Sequence, residues 1–179
     1  MTGTVSSELA LLTQRVIEKY QDETGHEPVS FELHNIPSPC AVKNDDEKVF
    51  WLPQPFKEGA SLVKVEHAMD MTIHTDIHRF YTSQYAADIS AKFEDIELSL
   101  VQVWSEDDFI RLQENLIGHL FTQRRLKLAP TLFIASLNSE LEVISVCNMT
   151  GQVLSEYFGS NKHRILAPSL AEFLNQLKV

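Results

Sequence analysis

Leu9, Leu12, Val16 and Tyr20 recur at a spacing of three to four, while Glu8, Arg15, Glu18 and Lys19 fall on the other faces. With Ser6 and Ser7 ahead of them as caps, residues 6–20 predict an amphipathic helix. Gly25, Pro28, Pro37 and Pro39 then break any regular pattern and predict a winding segment. A short strand is expected at 49–52, ended by Pro53 and Pro55. Leu62, Val63 and Val65 read as an alternating stretch from Ser61 that loses regularity before Asp76, where a helix to Gln84 is expected.

Residues 89–93 and 96–103 both alternate with a period of two, and Glu94-Asp95 between them makes a tight turn, so a β-hairpin is predicted. In its second strand Ile96, Leu98 and Leu100 face the core, and Asp95, Glu97 and Ser99 point the other way. Asp88 and Ser90 oppose Ile89 and Ala91 by the same rule, which predicts a sheet face rich in carboxylates. The strongest helix is 106–124. Ser105 caps it, Asp108 closes a capping box, Phe109, Leu112, Leu116 and Leu120 form the buried stripe, and Pro130 stops it. Arg124, Arg125 and Lys127 gather at its negative end. Strands follow at 131–135 and 141–146, a turn at Met149-Thr150-Gly151, a strand at 153–158 and a last helix at 169–177 with Leu170, Phe173, Leu174 and Leu177 on one side. This order predicts an α+β fold: a single domain over residues 1–179 with a mainly antiparallel sheet packed with helices.

Composition adds that the chain is globular, with 44% hydrophobic and 22% charged residues. No stretch approaches the roughly 20 apolar residues of a membrane helix, and the N-terminus lacks a signal-peptide pattern, so a cytoplasmic protein is expected. Cys40 and Cys147 stand far apart without a CxxC spacing and are expected to be reduced thiols. The Asn148-Met149-Thr150 sequon matters only in a secreted chain and is set aside. The net charge of −10 is regional: residues 1–60 carry 10 acids against 5 bases, 61–123 carry 11 against 4, and 124–179 carry 4 against 6. Such a field disfavours nucleic acid and anionic lipid and attracts basic partners.

Little in the sequence suggests catalysis. The six glycines are too dispersed for a phosphate-binding loop, and no nucleophile elbow is present. Glu66, Asp70, His74 and His78, at i, i+4 spacing, would line four metal ligands along one face if that stretch were continuously helical, but the β-branched Thr72, Ile73 and Thr75 argue against it. No catalytic residue, metal or cofactor is therefore expected. The candidates for contact with a basic partner are Asp88, Asp95 and Glu97 on the sheet face, together with Glu106, Asp107 and Asp108, which also compensate the helix dipole. Trp51, Pro53, Pro55 and Phe56 read as a loop packed on the core, with a docking ridge as the alternative. Asp45-Asp46-Glu47 reads as a solvated loop tip, and His119 as a packing residue of its helix.

Seven segments carry a family resemblance: SPC at 38–40, WLPQPF at 51–56, WSEDDF at 104–109, QENLIGHL at 113–120, PTLFIASL at 130–137, ELEVISVCN at 140–148 and LAEFLNQLK at 170–178. In this order, across nearly the whole chain, they resemble the Syd family, the SecY-interacting proteins of gamma-proteobacteria. The resemblance implies a non-catalytic protein that binds the cytoplasmic loops of the translocon subunit SecY, associates with the inner membrane through that partner, and monitors assembly of the SecY complex. It also implies membership of the SUKH superfamily, many of whose members look like toxin-immunity proteins, so neutralisation of a basic toxin is the alternative, with a metal-dependent enzyme behind it. Cytoplasmic loops of membrane proteins are enriched in Lys and Arg, which an acidic surface would attract.

Overall fold

Thr4 decides where the chain becomes helical. In the computed structural model, which describes residues 2–179, the Thr4 hydroxyl accepts the Ser7 N–H at 3.1 Å and the Ser7 hydroxyl accepts the Thr4 N–H at 2.8 Å. This reciprocal cap opens α1 (Val5–Thr24), which buries Val5, Leu9 and Leu12 and ends at Gly25, whose φ of 76° suits glycine. The helix thus runs past the predicted 6–20.

The proline-broken segment contains β1 (Val29–Ser30), β2 (Ala41–Asn44), β3 (Val49–Trp51) and β4 (Gln54–Pro55). The first three form a small antiparallel sheet with the fully buried β3 in the middle. Asp45 shapes the turn between β2 and β3 by accepting the Glu47 and Lys48 N–H groups, both at 2.9 Å. Those backbone donors and the Lys48 ammonium hold its carboxyl well below the usual range, so this acidic tip is a built turn and not merely a solvated one. Trp51 and Phe56 are buried, and Phe56 stacks on Tyr85 with ring centroids 4.2 Å apart and meets the Phe109 edge-on at 5.1 Å. The docking-ridge alternative for this stretch is thereby overturned.

The stretch read as alternating is helical: α2 (Val63–Met69) buries Val65 and Met69, with Leu62 buried just before it, a spacing of three and four that the pair Leu62 and Val63 disguised. Then follow α3 (Thr75–Thr82) and β5 (Gln84–Tyr85), which pairs with β4. The rest of the chain builds a six-stranded antiparallel meander: β6 (Ile89–Phe93), β7 (Ile96–Leu100), β8 (Thr131–Ser136), β9 (Glu142–Cys147), β10 (Val153–Tyr157) and β11 (His163–Ala167), with α4 (Glu106–Arg125) between β7 and β8 and α5 (Leu170–Gln176) after β11. Gly151, in the β9–β10 turn, has a φ of 78°, which suits glycine, and a Cβ there would lie 2.7 Å from His74 Nε2 and displace that ring.

The sheet curls, and the C-terminal segment joins its two ends. β11 leads directly into α5, and Lys178 beyond it exchanges backbone hydrogen bonds of 2.8 and 2.9 Å with Lys92 of β6. Phe173 of α5 is fully buried and stacks on Phe93 at 5.0 Å. The first and last helices are also tied, because the buried Glu8 carboxylate accepts from Asn175 Nδ2 at 3.0 Å. The fold is α+β, with a core running from Val5 to Leu177. Cys40 is buried and Cys147 half-buried, and both are free thiols; burial pushes the Cys40 thiol up to about 11.

Candidate partner-binding groove

Between α1 and the sheet lies a concave groove of about 750 Å³. One wall is the C-terminal half of α1, with Lys19, Tyr20 and Glu23. Another is the segment around β1, with Phe31 and Glu32. The floor comes from β6, β7 and the residues flanking them: Asp88, Ser90, Ser99, Gln102 and Trp104. Asp108, from the first turn of α4, completes it. Four carboxylates (Glu23, Glu32, Asp88, Asp108) thus share the lining with one ammonium, Lys19.

Asp88 records the resulting field. Its Oδ1 accepts the Gln102 N–H at 2.8 Å, which favours the charged form, yet its carboxyl is pushed up to about 6. Burial among protein groups is the largest cause, and the neighbouring charges of Asp108 and Glu32 add to it. Asp88 remains accessible to solvent, since a concave site surrounds a group without sealing it. Asp108 has two roles: its N–H donates to the Ser105 hydroxyl at 3.2 Å and its carboxylate accepts the Trp104 N–H at 2.8 Å, so it anchors the start of α4 while lining the groove. Trp104 is fixed from its other side, where Nε1 donates to the Ile36 carbonyl at 3.0 Å.

Of the six predicted contact residues, Asp88 and Asp108 come together in the groove and the other four lie outside its lining. Asp95 occupies the β6–β7 turn, and Glu97 sits opposite Lys92 in the strand register, 3.8 Å from its ammonium. The expected carboxylate face is therefore partly neutralised at its far end, because the alternation that exposes Asp88 and Ser90 exposes Lys92 as well. Glu106 accepts from the Tyr85 hydroxyl at 3.3 Å and stands 4.0 Å from Lys57. Asp107 is exposed at the helix start.

Glu23 and Glu32 were not singled out from the sequence. For Glu23 a signal existed: the last turn of α1 has no basic residue and instead holds Asp22 and Glu23, against the preference of a helix C-terminus for cations. Glu32 lies in irregular chain and gave none.

The His and acid residues between 66 and 78 are consumed locally. Asp70 ends α2 in the left-handed conformation, so α2 and α3 are separate helices. Glu66 Oε2 accepts the Ile73 N–H at 2.8 Å and lies 3.4 Å from His78 Nε2. His78 Nδ1 accepts the Leu62 N–H, and His74 Nδ1 accepts the Asp76 N–H, both at 3.1 Å. The four side chains share no face, and among the described residues no group of three metal-ligating side chains converges.

The family profile described as "Syd protein (SUKH-2)" matches residues 6–179. The chain is 53% identical over 174 residues to "Protein Syd" of Pectobacterium carotovorum, covering 97% of this chain and 96% of that one. It is 53% identical over 178 residues to "Protein Syd" of Yersinia enterocolitica, covering 99% and 97%. To "Protein Syd" of Pectobacterium atrosepticum it is 51% identical over 177 residues, with the same coverage of 99% and 97%. Matched from end to end at this level, the chain belongs to the Syd (SUKH-2) family.

Proposed function

We propose that this protein is a non-catalytic binding protein whose acidic groove receives a basic cytoplasmic segment of SecY, and that it inspects or regulates assembly of the SecY complex from the cytoplasmic side of the inner membrane. The observation that carries the reading is the groove itself: four carboxylates against one ammonium, with Asp88 raised to about 6 by burial and by two acidic neighbours. Negative charge held this close without compensation disfavours the free protein and favours a cationic occupant. The exposed Phe31 and the half-buried Tyr20 supply apolar surface for the stems of Lys and Arg side chains. Among the described residues no helix is long and apolar enough to cross a membrane, and a surface of this charge gains nothing from an anionic leaflet, so the membrane is reached through the protein partner.

In this reading Glu23, Glu32, Asp88 and Asp108 make the contacts, while Asp95, Glu97, Glu106 and Asp107 extend the field outside the groove and act on encounter. The test measures association and dissociation rates of the full chain on detergent-solubilised SecY complex. The double variant Glu23→Lys/Glu32→Lys should raise the dissociation rate by at least about tenfold, and because lysine suits the end of α1 better than glutamate does, loss of binding there is not loss of fold. Asp95→Lys/Glu97→Lys should slow association chiefly, and less so at high salt. Normal dissociation from the groove variant would exclude the groove as the contact.

A further inference from the structure

Between α4 and strands β8 to β10 lies a second cavity of about 490 Å³, within the range that holds a small molecule. Phe133, Val143 and Phe158 give it apolar walls, and His119, Gln123 and Glu156 give it a polar end. Glu156 is only 7% exposed and forms no ion pair among the described residues. A buried carboxylate without a counter-charge is costly, and this one faces a cavity.

The hydrogen bonds around it leave one choice open. Gln123 Oε1 accepts the Thr131 N–H at 2.9 Å, which fixes the amide so that Nε2 donates to Thr131 Oγ1 at 2.8 Å. The Thr131 hydroxyl then has one hydrogen and one lone pair for two neighbours, Glu156 Oε2 at 2.7 Å and His119 Nε2 at 3.1 Å. In one arrangement the hydroxyl donates to an ionised Glu156 and accepts from a protonated Nε2. In the other, a neutral Glu156 donates to the hydroxyl, which donates to a bare Nε2. A cation beside Glu156 selects the first. The His119 ring meets Phe133 and Phe158 edge-on, with centroids 5.7 and 6.2 Å away, so its state is sensed at the cavity wall.

Gly118 is the independent observation. It lies in the interior of α4 and lines the cavity, yet a Cβ there would meet nothing within 4 Å. Glycine weakens a helix interior, and no packing contact calls for it here. Having no side chain, it leaves this part of the cavity rim uncovered.

We propose that this cavity is a binding site for a small organic ammonium ion, its nitrogen paired with Glu156 and its apolar body against Phe133, Val143 and Phe158. An anionic occupant would be repelled by an ionised Glu156 and a neutral one would give it no counter-charge, whereas aromatic walls beside a carboxylate suit an ammonium group. The site is separate from the acidic groove and does not depend on it.

The test titrates the full chain with 2-phenylethylamine, and with its uncharged isostere 2-phenylethanol, by 1H–15N NMR. The amine should give saturable shifts at the Gly118 and Gly159 amides and bring the His119 ring to the state with hydrogen on Nε2, and the alcohol should bind at least about tenfold more weakly. Glu156→Gln should remove that preference. Gly118→Leu should abolish binding while raising the thermal midpoint, a combination that a purely structural role for the glycine would not produce. Equal binding of amine and alcohol to the unmodified protein, absence of saturation, or undiminished amine binding by Gly118→Leu would overturn the proposal.

Discussion

Asp88→Asn should make this protein more stable at neutral pH. The asparagine keeps an oxygen to accept the Gln102 N–H, now 2.8 Å from Asp88 Oδ1, so the backbone contact survives and only the charge is lost. The carboxyl is raised from an ordinary 3.8 to about 6, chiefly by burial and further by Asp108 and Glu32. A folded-state value above the unfolded one means that the folded protein holds the proton more tightly. Above about pH 6 it must carry the charge against that preference, and the penalty fades as pH falls from there toward 4. Two units would correspond to about 3 kcal/mol, but Asp88 is open to solvent within the groove, and screening reduces the expected gain to about 1 kcal/mol.

Urea unfolding of both proteins across pH measures this directly. The variant should gain about 1 kcal/mol near pH 7.5, or about 2–4 °C in thermal midpoint for a chain of this size, and the difference should vanish near pH 4, where the native aspartate is protonated anyway. High salt should narrow the gap at neutral pH. A variant no more stable at pH 7.5, or one whose advantage grows on acidification, would show that Asp88 is not held against an uncompensated field. If the groove receives SecY as proposed, the same substitution should weaken binding to the SecY complex, so stability and binding move in opposite directions.

Two further predictions concern the scaffold. Ser105→Ala removes the cap that receives the Asp108 N–H and should cost about 1 kcal/mol in chemical denaturation, with the groove's acidic residues unchanged. Phe173→Ala removes a fully buried ring stacked on Phe93 where the C-terminal helix meets the sheet, and should cost about 3–5 kcal/mol; a loss below ~1 kcal/mol would mean that the two ends of the sheet are not held together through α5.

What could be read from the sequence followed from how locally each feature is encoded. α4 carries its apolar stripe, its cap and its terminal charges within one stretch, and the β6–β7 hairpin carries its alternation and its turn, so both were legible. β11 was not, because His163, Arg164 and Ile165 are all exposed and offer no alternation; its place comes from pairing with β10. β1, β4 and β5 have two residues each, too few for any period, and exist because tertiary packing brings them to a partner. The groove divides in the same way. Asp88 and Asp108 could be found from a strand pattern and a helix start, but their meeting with Glu23 and Glu32 depends on four separate parts of the chain folding against one another.

The places where the chain departs from local rules are informative together. Most termini obey them: Thr4, Ser105 and Ser169 cap their helices, and Gly25 ends α1. Three departures stand out: acids in the last turn of α1, a carboxyl at Asp88 raised to about 6, and a glycine in the interior of α4 without a packing reason. Two of these lie on the acidic groove and the third on the second cavity. A chain that optimises its caps elsewhere would gain stability by replacing Glu23 with lysine, Asp88 with asparagine and Gly118 with leucine. Each change would also alter a concave surface, by reversing or removing its charge or by filling its mouth. Local cost concentrated at two cavities is the pattern expected when binding, and not folding, sets the residue.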